Sequence, residues 1–167
     1  MTNLAGITDF RGPQLMNSSK LMRERIRRVE ILVKELGYDV EPEEIAEDGY
    51  GASIFSQDDY LFGLTVDSQS KYLEIGYTFG FSRSLQERIR RSIEEVMGIT
   101  YEYGCYFTLG MDDEEIVLSV FSKLYFAGLN YYAFKETVRD LRSCITMIAE
   151  LFDFAGQLQG ENEYGNP

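Results

Sequence analysis

The spacing of apolar residues alternates between a helical period and a two-residue period along this 167-residue chain, and this alternation most constrains its fold. Over 20–36 apolar residues recur every three or four positions, which predicts a first helix with Gly37 at its end. The runs 50–55, 60–66 and 72–79 alternate apolar with polar residues and are separated by polar turns, which predicts a three-stranded antiparallel meander. The acidic segment between helix and meander is interpreted as a connection, with a helical turn allowed from Pro42.

The second half of the chain shows the same change between a helical period and a two-residue period. A capping box, Ser84-Leu85-Gln86-Glu87, predicts a second helix that Gly98 ends. Strands are predicted over 101–109 and 115–125, around an acidic turn. The longest helix is predicted from 131 to about 154, with a heptad-like apolar seam. The predicted class is therefore α+β, in the order α-β-β-β-α-β-β-α.

Length and composition predict one domain with extensions at both ends. The domain is expected to span 19–155, with a flexible N-terminal arm at 1–18 and a disordered tail at 156–167. Hydrophobic residues make up 44% of the chain and aromatic residues 14%, which is enough for a large core. No stretch resembles a signal peptide or approaches the ~20 apolar residues of a membrane span, so we expect a cytoplasmic protein without membrane contact.

The charge balance is strongly acidic. Lysine and arginine number 16 against 28 aspartates and glutamates, a net charge of −12. That balance repels nucleic acids and anionic membranes and favours basic or amphipathic partners, so no nucleic-acid partner is predicted. Half of the basic charge lies in two short runs: Arg23, Arg25, Arg27, Arg28, and Arg83, Arg88, Arg90, Arg91. Neutralisation of the protein's own acidic loops, or of a partner's acidic patch, explains these runs better than a phosphate site.

Residue parity sorts the predicted strands into two faces. One face, here called the core face, is apolar and is expected to be covered by the first and last helices. Its predicted members are Tyr60, Phe62, Leu64, Val66, Leu73, Ile75, Tyr77, Phe79, Tyr101, Tyr103, Cys105, Phe107, Ile116, Leu118 and Val120.

The opposite face, here called the second face, carries glycine near the middle of three predicted strands. Glycine inside a strand marks either close approach by another backbone or a bulge, so a partner-binding trough and a bent sheet are both open interpretations. The predicted partner-binding residues are Gly63, Gly76, Gly104, Tyr106, Phe121 and Tyr125. The second helix, with Leu85, Ile89 and Ile93, is predicted to fill the trough or to form a dimer contact.

Reactive chemistry is sparse. The chain has no histidine, and its two cysteines, Cys105 and Cys144, form no Cys-x-x-Cys pair. No phosphate loop, dinucleotide fingerprint or nucleophile elbow is present. The acidic clusters lack the ligand pattern of a calcium loop. We therefore predict no catalytic residue, no metal and no cofactor, with reduced, buried thiols.

In order of elements, size and acidity, residues 19–154 resemble the type III secretion chaperones and their relatives, the YbjN-like domains. The resemblance implies a twisted antiparallel sheet with helices packed on it, a homodimer, and binding of a partner segment in extended or helical form. The N-terminal arm and polar tail depart from a typical secretion chaperone. The resulting hypothesis is a non-catalytic chaperone-like or adaptor domain that dimerises and binds a protein client.

Two alternatives remain open at this stage. One is a small-molecule-binding domain or an enzyme, with an aromatic pocket that encloses Glu74 or Glu102. The other is a structural subunit of a larger assembly, in which the seam of the last helix pairs with another chain.

Overall fold

The computed structural model describes residues 19–46 and 48–153, so the predicted arm and tail lie outside the described residues. The helices are α1 (Lys20–Glu35), α2 (Gln86–Arg91), α3 (Ile93–Glu102) and α4 (Tyr131–Leu151). The strands are β1 (Asp39–Ile45), β2 (Gly49–Ser56), β3 (Asp59–Asp67), β4 (Tyr72–Ser82), β5 (Tyr106–Met111) and β6 (Glu115–Tyr125). Short 3₁₀ turns, Arg83–Leu85 and Phe126–Gly128, precede α2 and α4. None of the described helices is long and apolar enough to cross a membrane.

The six strands form one antiparallel sheet in the order β1-β2-β3-β4-β6-β5. This architecture confirms the predicted α+β class. The helical segment between β4 and β5 lets the chain return so that β6, and not β5, pairs with β4. The edges of the sheet are therefore β1 and β5.

Strand β1 corrects the interpretation of the acidic segment as a connection. It pairs with β2 from Asp39 opposite Phe55 to Ile45 opposite Tyr50, with a register shift between Pro42 and Glu44. Charge, proline and bulges are the features that protect an exposed sheet edge, and they also hide the strand from a pattern search.

Helices α1 and α4 pack on the core face of the sheet, as predicted. Helix α1 contacts β1 and β3, and α4 contacts β4 and β6. The seam of α4 lies against this sheet, because its members Phe134, Val138, Leu141, Ile145, Ile148 and Phe152 are all buried in the core. The seam is therefore buried against the chain's own sheet. It is not exposed for pairing with another chain, which the structural-subunit alternative required.

The ends of α1 follow their sequence signals. The Ser19 side chain accepts a hydrogen bond from the Met22 N–H at 3.1 Å. At the other end Gly37 has a φ of +81°, and Tyr38 N–H donates to the Val33 carbonyl at 3.2 Å. This pattern is a Schellman motif, which requires the left-handed backbone that glycine adopts without strain.

The predicted second helix is two helices, and Gly98 does not end it. The break falls at Ser92, after which α3 runs through Gly98 to Glu102. The actual C-terminal signal is Gly104, with a φ of +63°, where Cys105 N–H donates to the Thr100 carbonyl at 2.8 Å. Gly104 therefore lies in a helix-ending turn and not in a strand, so its predicted position on the second face is wrong.

The extension of α3 and the turn after it move three predicted core-face residues out of the sheet: Tyr101, Tyr103 and Cys105. Tyr101 lies on α3 and is 89% exposed, and Tyr103 caps the helix. Tyr60 is displaced by a different cause. Phe55 pairs with Tyr60 while Ile54 pairs with Phe62, so a bulge turns Tyr60 to the second face.

The arginine runs bind loops of the same molecule. The Arg25 guanidinium donates to the Ser70 carbonyl at 2.9 Å and lies 4.4 Å from the Phe126 ring centroid. Arg88 forms an ion pair of 2.6 Å with Asp153. These contacts agree with the interpretation of the arginines as partners of the protein's own loops.

Candidate partner-binding groove

The second face holds an open groove, here called the central groove, with a volume of about 270 Å³. Its floor follows two neighbouring rows of residues that cross the strands. One row runs from Gly63 through Gly76 to Phe121, and the other from Glu44 through Gly51 and Thr65 to Glu74. Small residues at the middle of both rows leave the space unfilled. The remaining lining residues are Glu43, Ala52, Tyr60, Leu64 and Thr78.

Gly76 is required by the packing of the sheet itself. A Cβ atom at this position would lie 2.7 Å from Cδ1 of Phe121 and 2.9 Å from the carbonyl oxygen of Val120. The Phe121 ring therefore occupies the place where a side chain at position 76 would stand. This glycine floors the groove only in part, because an internal aromatic ring already covers it.

Gly63 forms the open part of the floor. A Cβ atom there would meet the Tyr60 hydroxyl at 3.4 Å, and its nearest backbone atoms would be 3.9 Å away. Those are ordinary van der Waals contacts, and the backbone is not in the left-handed region. The sheet would thus accept a side chain at position 63, and that side chain would project into the groove.

Aromatic rings line up beside the groove on β4, β5 and β6. The rings of Tyr106 and Phe121 stack with centroids 5.3 Å apart, and Tyr106 donates a hydrogen bond of 2.6 Å to Glu74. The Lys123 ammonium lies 4.4 Å from the Tyr72 ring centroid and 4.6 Å from that of Tyr106. Burial, and then the hydrogen bond to Glu74, raise the pKa of Tyr106 well above its usual range.

Carboxylates supply the charge of the groove. Glu43, Glu44 and Glu74 all line it, and the Ser53 hydroxyl donates a hydrogen bond to Glu43. Burial, and then the negative charge of Glu43, raise the pKa of Tyr60 to about 12. A groove with three carboxylates in its lining attracts cations and basic side chains.

The structure brings three of the six predicted partner-binding residues into the groove: Gly63, Gly76 and Phe121. Tyr106 stands next to them, and Tyr125 lies at the end of the aromatic row, 62% exposed and 6.0 Å from the Tyr72 ring. The residues that the sequence did not indicate are mainly Glu43, Glu44 and Gly51. Their places in the groove depend on β1 and on cross-strand register. Gly51 could still have been assigned to the second face from the sequence, because it alternates with the core-face residues of β2.

The predicted helix residues lie elsewhere. Ile89 is 2% exposed and belongs to the core, while Leu85 and Ile93 are partly buried. None of these three side chains lines the central groove. The helix therefore does not fill the groove within its own chain, and Ile89 is not available to a partner.

A second, larger groove of about 700 Å³ runs along α4. Its aromatic lining residues are Tyr38, Tyr103 and Tyr131, and its basic ones are Lys135, Arg139 and Arg142. Glu74 lies in the central groove, which is open, and Glu102 lies on α3. The enclosed acidic pocket of the small-molecule alternative is thus not formed by these two glutamates. Across 19–46 and 48–153, no group of three or more His, Cys, Asp or Glu side chains is arranged to hold a metal.

Solved structures of two proteins share this architecture. An uncharacterised protein from Methanothermobacter thermautotrophicus matches with a TM-score of 0.59 and 14% identity, over 76% of this chain and 96% of its own. YbjN from E. coli, a candidate transcription regulator, matches with a TM-score of 0.55 and 18% identity, over 79% of this chain and 93% of its own. Neither a protein-family model nor a curated protein matches the chain. The chain therefore has a YbjN-like fold, while the resemblance to secretion chaperones stays a prediction.

Proposed function

We propose that this chain is a non-catalytic adaptor or regulatory domain whose central groove holds a positively charged segment of a partner protein. The observation that carries the proposal is the combination of a small-residue floor with a carboxylate lining on a sheet face opposite the helices. An ordinary solvent-facing sheet surface carries polar side chains at these positions.

The size of the central groove favours a polypeptide over a free small molecule. Its volume of about 270 Å³ lies below the roughly 300–1,000 Å³ of typical ligand pockets. A groove of this size takes a few side chains of a longer segment, whose remaining residues lie across the neighbouring strands. The charge favours a basic segment, because the chain carries a net charge of −12 and Glu43, Glu44 and Glu74 line the groove.

A regulatory role would act through protein contacts. YbjN, which has the same fold, is described as a candidate transcription regulator. The net charge of this chain opposes contact with nucleic acid, and Arg25 and Arg88 already bind its own loops. A protein carrying lysine and arginine is the partner that these charges favour.

The variant Gly63→Leu tests the groove directly. We expect it to weaken binding of a short fluorescein-labelled peptide that alternates lysine with leucine by at least about tenfold, or ~1.4 kcal/mol. The added side chain fills the open part of the floor without a backbone clash. Fluorescence anisotropy measures the affinity, and thermal unfolding checks that the variant is folded.

Gly80→Leu is the matched control, because Gly80 lies on the same strand face as Gly76 but outside the lining. A Cβ atom at position 80 meets only the flexible Glu115 carboxylate, at 3.4 Å. This variant should bind like the wild type. Equal affinities of Gly63→Leu and the wild type would place the peptide elsewhere and contradict the proposal.

We further propose that the domain dimerises through the edge of β5. The β5 sequence, Tyr106–Met111, contains no charged residue, and its side chains Leu109 and Met111 are 44% and 52% exposed. The opposite edge, β1, carries acidic residues, a proline and a bulge, all of which block strand pairing. Antiparallel pairing of β5 with its copy about a two-fold axis satisfies both edges at once.

Sedimentation velocity over a concentration series checks this dimer. The wild type should approach twice the monomer mass, and Leu109→Lys should remain a monomer because two like charges meet near the axis. Leu21→Lys, at an exposed position on α1, serves as the control and should assemble normally. A wild type that stays monomeric throughout, or a Leu109→Lys variant that still pairs, would refute the interface.

A further inference from the structure

The larger groove along α4, here called the α4 groove, is basic in a chain that is acidic overall. Three of its lining residues carry positive charge, Lys135, Arg139 and Arg142, and no aspartate or glutamate of the described segments lies in its lining. The whole chain has 16 basic residues against 28 acidic ones. The α4 groove is therefore a local exception to the net charge of −12.

The three cations stand on one face of α4, because they follow one another at steps of four and three residues. Lys135 and Arg142 are separated by about 10 Å along the helix axis at 1.5 Å per residue. The charge of Arg139 is offset by ion pairs of 2.6 Å with Glu136 and 3.2 Å with Asp140. Across 19–46 and 48–153, neither Lys135 nor Arg142 forms an ion pair. These two cations are therefore the ones whose charge is open to a ligand.

Tyrosines from three parts of the chain bring aromatic rings to the same groove. Tyr38 follows α1, Tyr103 caps α3 and Tyr131 begins α4, and all three are half-buried. The Arg142 guanidinium donates a hydrogen bond of 3.1 Å to the Tyr38 hydroxyl, which uses one of its five N–H donors and orients the rest. The Lys135 ammonium lies 5.9 Å from the Tyr131 ring centroid. Each open cation is thus held beside an aromatic ring.

We propose that the α4 groove is a binding site for an organic anion, a small molecule with an aromatic or apolar body and a carboxylate, phosphate or sulfonate group. The body lies on the three tyrosine rings and on the apolar side chains of Leu36 and Met147. The anionic group accepts hydrogen bonds from Arg142 and Lys135, and such charge-assisted bonds are the strong ones. The volume of about 700 Å³ is within the roughly 300–1,000 Å³ of typical small-molecule sites.

The charge of the rest of the chain selects a small anion over a large one. A nucleic acid or an acidic protein would extend beyond the groove and meet a surface with a net charge of −12. A small molecule contacts the groove alone. The site is also separate from the central groove, because α4 packs on the opposite face of the sheet. It does not depend on the proposed partner segment.

The test titrates the folded full-length chain with 8-anilinonaphthalene-1-sulfonate, an aromatic sulfonate whose fluorescence rises in an apolar site. Binding should saturate at one molecule per chain. Arg142→Gln should weaken it by about tenfold or more, the effect of losing a hydrogen bond to a charged group. Lys135→Gln, a second variant at an exposed position, should weaken it as well. No saturable binding, or wild-type affinity in both variants, overturns the proposal.

Two controls separate charge from shape. Arg91→Gln removes the same charge from an exposed position on α2 outside the lining, so its affinity should equal that of the wild type. N-phenyl-1-naphthylamine has the same aromatic body without the sulfonate, and Arg142→Gln should leave its affinity unchanged. If Arg142→Gln weakened both probes equally, or if Arg91→Gln weakened sulfonate binding as much as Arg142→Gln, the anion site would be refuted.

Discussion

Replacing Phe134 by alanine should lower the free energy of unfolding by about 3–5 kcal/mol, the largest loss that we expect from a single substitution. Phe134 lies in the first turns of α4, is fully buried, and belongs to the core between the helices and the sheet. Removing the ring takes away its transfer free energy and leaves a cavity that surrounding side chains fill only in part. A loss of this size is a large fraction of a typical domain stability of 5–15 kcal/mol.

Urea denaturation followed by circular dichroism measures this loss. Tyr132→Ala is the matched control, because Tyr132 lies on the same helix and is 77% exposed. The control should change stability by no more than about 0.5 kcal/mol. If both variants lost equal stability, α4 would not pack on the sheet by the face described above.

Replacing Gly76 by alanine should destabilise the fold by about 1–3 kcal/mol. This is the reverse of the usual effect, since alanine inside a strand is normally more stable than glycine. The added methyl group would lie 2.7 Å from the Phe121 ring and 2.9 Å from the Val120 carbonyl. The ring can rotate away, but the backbone carbonyl belongs to the paired strand β6 and resists displacement. A larger side chain at position 76 would meet the same clash and disturb the fold as well as the groove, so partner binding is tested at position 63 instead.

Gly63→Ala is the matched control for this substitution. The two glycines pair directly across β3 and β4, yet a methyl group at position 63 meets only ordinary contacts. Gly63→Ala should therefore be neutral or slightly stabilising, because alanine restricts the unfolded chain. Equal losses at both positions in urea denaturation would mean that the Phe121 ring does not cover Gly76.

The sequence predicted much of the fold because most elements carry strong periodicity. The stripes of α1 and α4 and the alternation in β3, β4 and β6 all mark the core face. Strand β1 was not predicted, because an edge strand pairs on one side only and tolerates charge and proline. The end of the helical segment was predicted at Gly98 and lies at Gly104. Both residues are glycines, and only the positive φ of Gly104 distinguishes the one that ends the helix.

The candidate site was harder to predict than the fold. Parity placed Gly63, Gly76 and Phe121 on one face, but parity does not show which residues are neighbours across strands. Cross-strand register depends on turns and bulges, such as the bulge that turns Tyr60 into the groove. The carboxylates of β1 and the basic groove along α4 depend on tertiary packing, to which a single sequence gives no direct access.

The most direct test of the central claim maps where a bound basic peptide lies on the folded domain. Amide chemical shifts of the isotope-labelled protein are recorded during titration with the lysine–leucine peptide, first at low salt and then at about 1 M salt, where the Debye length is ~3 Å. We predict that the largest changes fall on Gly51, Gly63, Thr65 and Gly76, and that they fade at high salt. Changes confined to the α4 groove or to the core-face helices, or no saturable change at all, would contradict the account.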